Sequence, residues 1–591
     1  MNNAKYKYYL PLLSVLLSLC MGCEDFTGRE IYKRPDWLPG KLYTTLSAQE
    51  NVNMFIECIQ LAGLDTIVDV SGCWSIFAPT DEAMNRYLSE NHYASITDIP
   101  KTELDRITHF HIIQDPWTLE QLQILGYNGW REEDDANVNL YAYKRETILR
   151  NPEEKYWIQK EKGNEMITLD STIADGYKRV FVQSRKYVPI FYDEYFDVNG
   201  LNSDDFSFYF DREYERGNVY YAGAKILKCN IIAENGFIHI IDRVVNPMPN
   251  AKEILERDIP GESYKLFLKM VYWYYPEFEP NITATFNQPS VRRGGLVDTL
   301  WELNYSDLAF PLHEEIIGYK GGNINETLIR HNGMFAPEDE PFREFIDGTL
   351  TTKSGFPHWP SYKKLPKDIQ DIIITPHFKS SSLYPSTNHY MEIFSNNSRF
   401  QQNEEDIIRK EFCSNCTFIG LNSYKPDKVF TSVTGPVFLR PKYSIFRLAM
   451  VYSRVYDMIA QHQGELYFFP IPDGALEADS SMIINWTNND NYNFRAYDKL
   501  MKQMVNLSRN TIRRMILNHV GTSISISDYI ETIRTLRGNT ITWDHTNNTI
   551  RGTRPSTFGL NGDIVVTCTP IPLEEPAENG KTWSINSWLN F

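Results

Sequence analysis

Cysteine is scarce in this chain. Eight occur in 591 residues, at positions 20, 23, 58, 73, 229, 413, 416 and 568, too few and too scattered for a disulfide scaffold. Cys413-Ser-Asn-Cys416 is the one CxxC, and no second pair or histidine pair completes a zinc site. It reads as a local disulfide or two free thiols. Positive charge is also short, with 59 Lys and Arg against 76 Asp and Glu and a net charge of −17. Nucleic acid wants basic patches, so it is disfavoured as a partner. Beyond the N-terminus no segment approaches the ~20 apolar residues of a membrane-spanning helix. Signatures of catalysis are missing too. There is no GxSxG elbow and no phosphate-binding loop. His313-Glu314-Glu315 lacks the second histidine of a zinc helix, and acidic runs such as Glu404-Glu405-Asp406 read as solvated surface. The expectation is a protein that is not an enzyme and holds no cofactor or metal.

What is present begins at the N-terminus. Lys5 and Lys7 precede an apolar run, Leu10 to Leu19, too short to anchor in a bilayer. Gly22 then sits directly before Cys23, and polar sequence begins at once. The stretch is similar to a lipobox, with Cys20 and Met21 where aliphatic and small residues are usual. Residues 1–22 are therefore read as a lipoprotein signal peptide, Cys23 as the lipid-attachment site and 23–42 as a tether. Glu24 and Asp25 resemble the acidic export signal of Bacteroides-type lipoproteins. Together they imply an outer-membrane protein, lipid-anchored and facing the cell exterior.

Aromatic residues make up 14% of the chain, with 36 Tyr and 12 Trp, which suits interfaces, sugar faces or plain cores. More informative is a repeat. SIFAPTDEAMNRY (Ser75 to Tyr87), GMFAPEDEPFREF (Gly333 to Phe345) and YFFPIPDGALEA (Tyr467 to Ala478) each join an apolar strand end, a proline, an acidic residue and a helix-like stretch. Phe77 and Phe335 should end buried strands, Pro79 and Pro337 should stop the ladder, and Thr80 can cap the next helix. An amphipathic stretch precedes each copy and a histidine-bearing apolar segment follows it, with His109 and His111, His377, and His519. His109 and His111 are expected to alternate on a strand and share one face. Hairpin-like ends close the copies. Asn235-Gly236 and Asn579-Gly580 offer the positive φ of a tight primed turn, whereas Cys416 stands where glycine is expected, so that turn must be strained or of another type.

FAPTDEA followed by a histidine segment and an NGFIHIID end resembles the fasciclin domain. The motif residues Phe77, Ala78, Pro79, Thr80, Asp81, His111, Asn235, Gly236, His239 and Asp242 carry the likeness and are read as structural. The resemblance implies an α+β fold of three tandem fasciclin-like domains, with β-wedge or sandwich-like sheets and short flanking helices. The boundaries read are 43–250, with a long insertion at about 114–220, then 260–442 and 443–591. Within the insertion, Trp117, Trp130, Tyr141, Tyr143, Tyr192 and Tyr195 are candidate aromatics for a ligand or partner.

The function expected is a non-catalytic surface lipoprotein, an accessory to a SusC/SusD-type nutrient-uptake complex. Its partners would be an outer-membrane transporter or SusD-like lipoprotein, or a host or cell-surface ligand. Adhesion to cells or matrix is the alternative, and a surface polysaccharide or peptide hydrolase is a second one.

Overall fold

The computed structural model describes residues 38, 40–70, 72–124, 144–159, 177–274, 277–286, 299–304, 308–312, 331–381, 402–478, 482–486, 492–498, 502–554 and 564–589. These residues pack into two units. One comprises described residues within 1–125, 145–149 and 218–247; the other comprises those within 126–144, 150–217 and 248–591. The architecture mixes helices with several sheets, as an α+β class requires. Among the described residues no helix is long and apolar enough to cross a membrane.

In the first unit, the strand Trp74–Pro79 lies at the centre because both of its faces are apolar, and five of its six residues are buried. It runs parallel to Gly236–Ile241, in register from Trp74 opposite Gly236 to Pro79 opposite Ile241. Ile112–Gln114 pairs antiparallel on its other edge, and Ala224–Ala233 forms a hairpin with Gly236–Ile241. Short helices cover the sheet. Asn53–Leu61 buries Phe55, Cys58 and Ile59, each large apolar side chain worth about 1.5–3 kcal/mol on transfer from water. The helix Asp81–Glu90 starts where the sequence places it, with the Thr80 hydroxyl accepting the Ala83 N–H at 3.1 Å.

The second unit contains the same arrangement twice. His331–Pro337 is parallel to Cys416–Leu421 and antiparallel to Phe378–Ser381. Leu466–Phe468 is parallel to Gly580–Ser584 and antiparallel to Val520–Ser527. From Val520 the chain continues as a meander through Ile530–Thr535, Thr540–Asp544, Thr549–Arg554 and Ile564–Cys568. One apolar core spans both arrangements, from Phe267 and Phe342 to Phe446 and Trp588.

Described residues within 150–217, part of the stretch read as an insertion in the first domain, pack in the second unit. Phe191 makes an edge contact with Phe412 at 5.7 Å, and Lys410 sits 4.1 Å over the Phe208 ring. Phe208 and Tyr209 pack against Phe335, Ile419 and Leu421. Phe191, Phe208 and Tyr209 thus brace the sheet of the middle copy.

Candidate functional site

The recurring histidine is the best-defined constellation. His111 is not on a strand, and neither is His109. Lys101–Phe110 is a helix with His109 in its last turn and His111 as its C-cap, so the expected alternation across a strand does not occur. The helix persists because Leu104, Ile107 and Phe110 share its buried face. His377 ends a 3₁₀ turn ahead of Phe378–Ser381, and His519 directly precedes Val520–Ser527. All three thus stand at the same hinge between helix and strand.

Their partners repeat in part, since His377 and His519 reach the central strand or its end through Nδ1 whereas His111 reaches its own helix. His111 Nδ1 lies 2.8 Å from the Ile107 carbonyl, and its Nε2 accepts the Val245 N–H at 3.1 Å. His519 Nδ1 lies 2.8 Å from the Phe469 carbonyl, and its Nε2 accepts the Leu589 N–H at 3.2 Å. His377 Nδ1 lies 2.6 Å from the Phe335 carbonyl. Two aromatic rings flank each imidazole: Phe55 and Tyr221 for His111, Phe267 and Tyr424 for His377, Phe446 and Trp588 for His519. Burial lowers all three pKa values to about 4, so each ring is neutral at pH 7. In His111 and His519 the imidazole donates at Nδ1 and accepts at Nε2, the bonding of a structural linker with both ring nitrogens engaged.

Two further clamps recur. The carboxylates of Asp81, Asp339 and Asp473 accept the N–H of Met54, Leu266 and Ile445 at 2.7, 2.7 and 2.8 Å, tying each strand end to the start of the preceding helix. The side chains of Asn235, Asn415 and Asn579 bridge two chain segments each. Asn235 accepts from Leu42 N–H and donates to the Val68 carbonyl. Asn415 does so between Ala251 and Pro311, and Asn579 between Val433 and Ile459. Sequence reasoning missed this bridging role, assigning Asn235 to turn conformation alone. Asn235 keeps a negative φ and only Gly236 is positive, at +155°, so the primed turn expected there does not form. A Cβ on Gly236 would lie 1.9 Å from the Trp74 carbonyl oxygen, and one on Gly580 would lie 1.9 Å from that of Leu466. At Cys416 the turn is of another type. Its φ is not positive, and the Cys413 N–H donates to the Cys416 carbonyl at 2.8 Å. Both thiols are free and buried.

The remaining motif residues are also internal. Phe77 stacks on Tyr221 at 4.3 Å and on His239 at 4.8 Å. His239 is fully buried, with Nε2 3.0 Å from the Trp117 carbonyl, and desolvation lowers it to about 4. Ala78 is buried beside Ile240 across the ladder, and Asp242 accepts the Lys225 N–H.

The candidate aromatics divide. Trp117 is half-buried, donates from Nε1 to the Gln114 carbonyl, and lies under the Arg145 guanidinium at 5.4 Å. Tyr192 and Tyr195 are 0% and 2% exposed. They sit in a ring cluster with Phe191, so they are core and cannot meet a partner. Cys23, Glu24, Asp25, Trp130, Tyr141 and Tyr143 lie outside the described residues. Among the described residues no group of three or more His, Cys, Asp or Glu could hold a metal ion.

With that geometry in place, comparison with known proteins gives a class. Residues 50–167 match the model of the fasciclin domain family, so the chain contains a fasciclin domain of α+β type. Fasciclin domains are associated with cell adhesion, and no catalytic family is indicated. Among solved structures, the chain is similar to a FAS1 domain pair from the insect cell adhesion molecule Fasciclin I. That match has 14% identity, covers 63% of this chain and 96% of the other, and has a TM-score of 0.19, too low to carry any argument. No curated protein matches.

Proposed function

We propose that the chain is a non-catalytic binding protein displayed on the outer face of an outer membrane. It is held there by lipid on Cys23 and acts as an accessory to a SusC/SusD-type uptake complex. The second and third copies are fasciclin-type modules in this account, following the first. The observation that carries the non-catalytic part is the closed state of the motif: the three hinge histidines are neutral, buried and engaged by backbone and rings. Residues of that kind build a scaffold. The sequence from Lys5 to Asp25 supports display at a membrane surface.

Co-purification tests the partner. Full-length protein extracted in mild detergent should bring a TonB-dependent transporter with it, identified by mass spectrometry. Recovery of the protein alone, where other transporter complexes survive the same extraction, counts against the proposal. Adhesion is the second reading, favoured by the fasciclin match at residues 50–167. A deletion strain would then attach less well to cells or matrix than its parent, and equal attachment removes this reading.

A further inference from the structure

The meander of the third copy carries a hairpin unlike any other described turn in the chain. Val520–Ser527 and Ile530–Thr535 are joined by Asp528 and Tyr529, with φ of +48° and +67°. Two consecutive left-handed residues make a primed turn, for which Asn-Gly is the low-strain solution. Here neither residue is glycine, and one is bulky. Strain of about 1–3 kcal/mol per such residue is retained where it serves a function. What it does here is project Tyr529 into solvent, 74% exposed, above Ile526 at 68%, Ile524 at 56% and Ile530 at 45%.

The same hairpin has an open edge. Val520 and Gly521 pair with Phe468 and Tyr467. From Thr522 to Ser527 the strand has a ladder partner on one side only, the strand Ile530–Thr535, among the described residues. Unpaired edges of β-branched, uncharged sequence are templates for another strand, and proteins normally blunt them with Lys, Pro or a covering loop. Residues 520–527 (VGTSISIS) contain neither Lys nor Pro. A register shift between Ser523 and Ser525 leaves Ile524 outside the ladder, which adds twist but no charge.

We infer that this edge is a self-association surface: two copies of the chain pair antiparallel through Ser523–Ser527, with a dyad at Ser525. The occupant follows from three features. Ser523-Ile524-Ser525-Ile526-Ser527 reads the same in both directions, so antiparallel pairing about Ser525 sets Ile524 opposite Ile526 of the second copy, and the reverse, as an isologous interface requires. The segment carries no charged side chain, so the contact juxtaposes none of the acidic excess of the chain. The third feature is area, which sets the strength of the contact. At roughly 200 Å² per large side chain, Tyr529, Ile526 and Ile524 offer on the order of 400 Å² per copy, about 800 Å² in total, which fits a weak, transient self-association.

Sedimentation velocity of the full chain in detergent should show monomer and dimer in concentration-dependent exchange. Ile526→Lys places a charge on the edge and should remain monomeric, with an unchanged thermal midpoint because Ile526 is exposed. In a Cys73→Ser background, oxidised Ser525→Cys should cross-link to a dimer at least tenfold faster than Thr522→Cys, since only residue 525 faces itself across the dyad. A chain that stays monomeric at every concentration overturns the inference. So does an Ile526→Lys dimer as strong as the parent, or equal cross-linking of the two cysteine variants.

Discussion

At the scale of single residues, the chain is governed by positions where one atom too many has nowhere to go. Gly236 and Gly580 each abut a carbonyl oxygen of the parallel neighbour strand, and alanine at either site must push two paired strands apart. Gly236→Ala and Gly580→Ala are expected to cost about 2–4 kcal/mol through strain and lost ladder bonds, read as a fall in the denaturant midpoint. Histidine sets a second residue-level effect. The folded chain keeps His111, His377 and His519 neutral with pKa values near 4, whereas the unfolded chain binds protons below about pH 6.5. Their contribution is therefore complete above pH 6.5 and is lost as pH falls toward 4, on the order of 3 kcal/mol for each ring. A thermal midpoint that is flat from pH 7 to pH 4 would contradict this. His519→Leu should lower stability at pH 7 yet reduce the slope below pH 6.5.

At the scale of elements, the repeating unit is a parallel strand pair pinned by an aspartate, an asparagine and a histidine. Trp588 and Leu589 contribute to it in the third copy. Trp588 is 2% exposed and stacks on Phe446 at 5.6 Å, and the Leu589 N–H reaches His519. Trp588→Ala should cost about 3–5 kcal/mol, visible by calorimetry as a lower midpoint for the second unit. Much of this element was legible in sequence. The FAPTDEA box gave the strand, the proline stop and the Thr80 cap, because each depends on neighbours within four residues. Placing His109 and His111 on a strand failed, because an apolar run of eight residues fits either period and only the buried face of Leu104, Ile107 and Phe110 decides for helix. The asparagine bridges were invisible for a different reason: Asn235 binds Leu42, 193 positions away, and local spacing carries no trace of such a contact.

At the scale of the molecule, the second unit is fastened by charges that no motif announced. Arg447 and Asp368 form a buried pair at 2.7 Å, with Arg447 also 5.4 Å over the Trp359 ring. Arg440, Glu575 and His358 form another buried cluster, joining segments up to 217 residues apart. Arg447→Ala leaves Asp368 charged and unpartnered by Arg447 in a dry site, at a cost of about 3–5 kcal/mol. The double change Arg447→Met with Asp368→Leu should recover most of that loss, as chemical denaturation of both variants would show. The aromatic stretch 150–217 teaches a related lesson. Tyr192 and Tyr195 are candidate partner aromatics from the Tyr and Trp content of the insertion at about 114–220, yet both are interior, because composition reports how much ring surface exists and not which way it faces.

We propose that these modules are carried outward on a lipid. The mass of the mature N-terminal peptide, taken together with protease shaving of intact cells, tests it most directly. The account predicts a chain beginning at a diacylglycerol-modified Cys23 and cleaved by protease added outside the cells. A chain that starts elsewhere without lipid, or that stays intact until the outer membrane is broken, would contradict it.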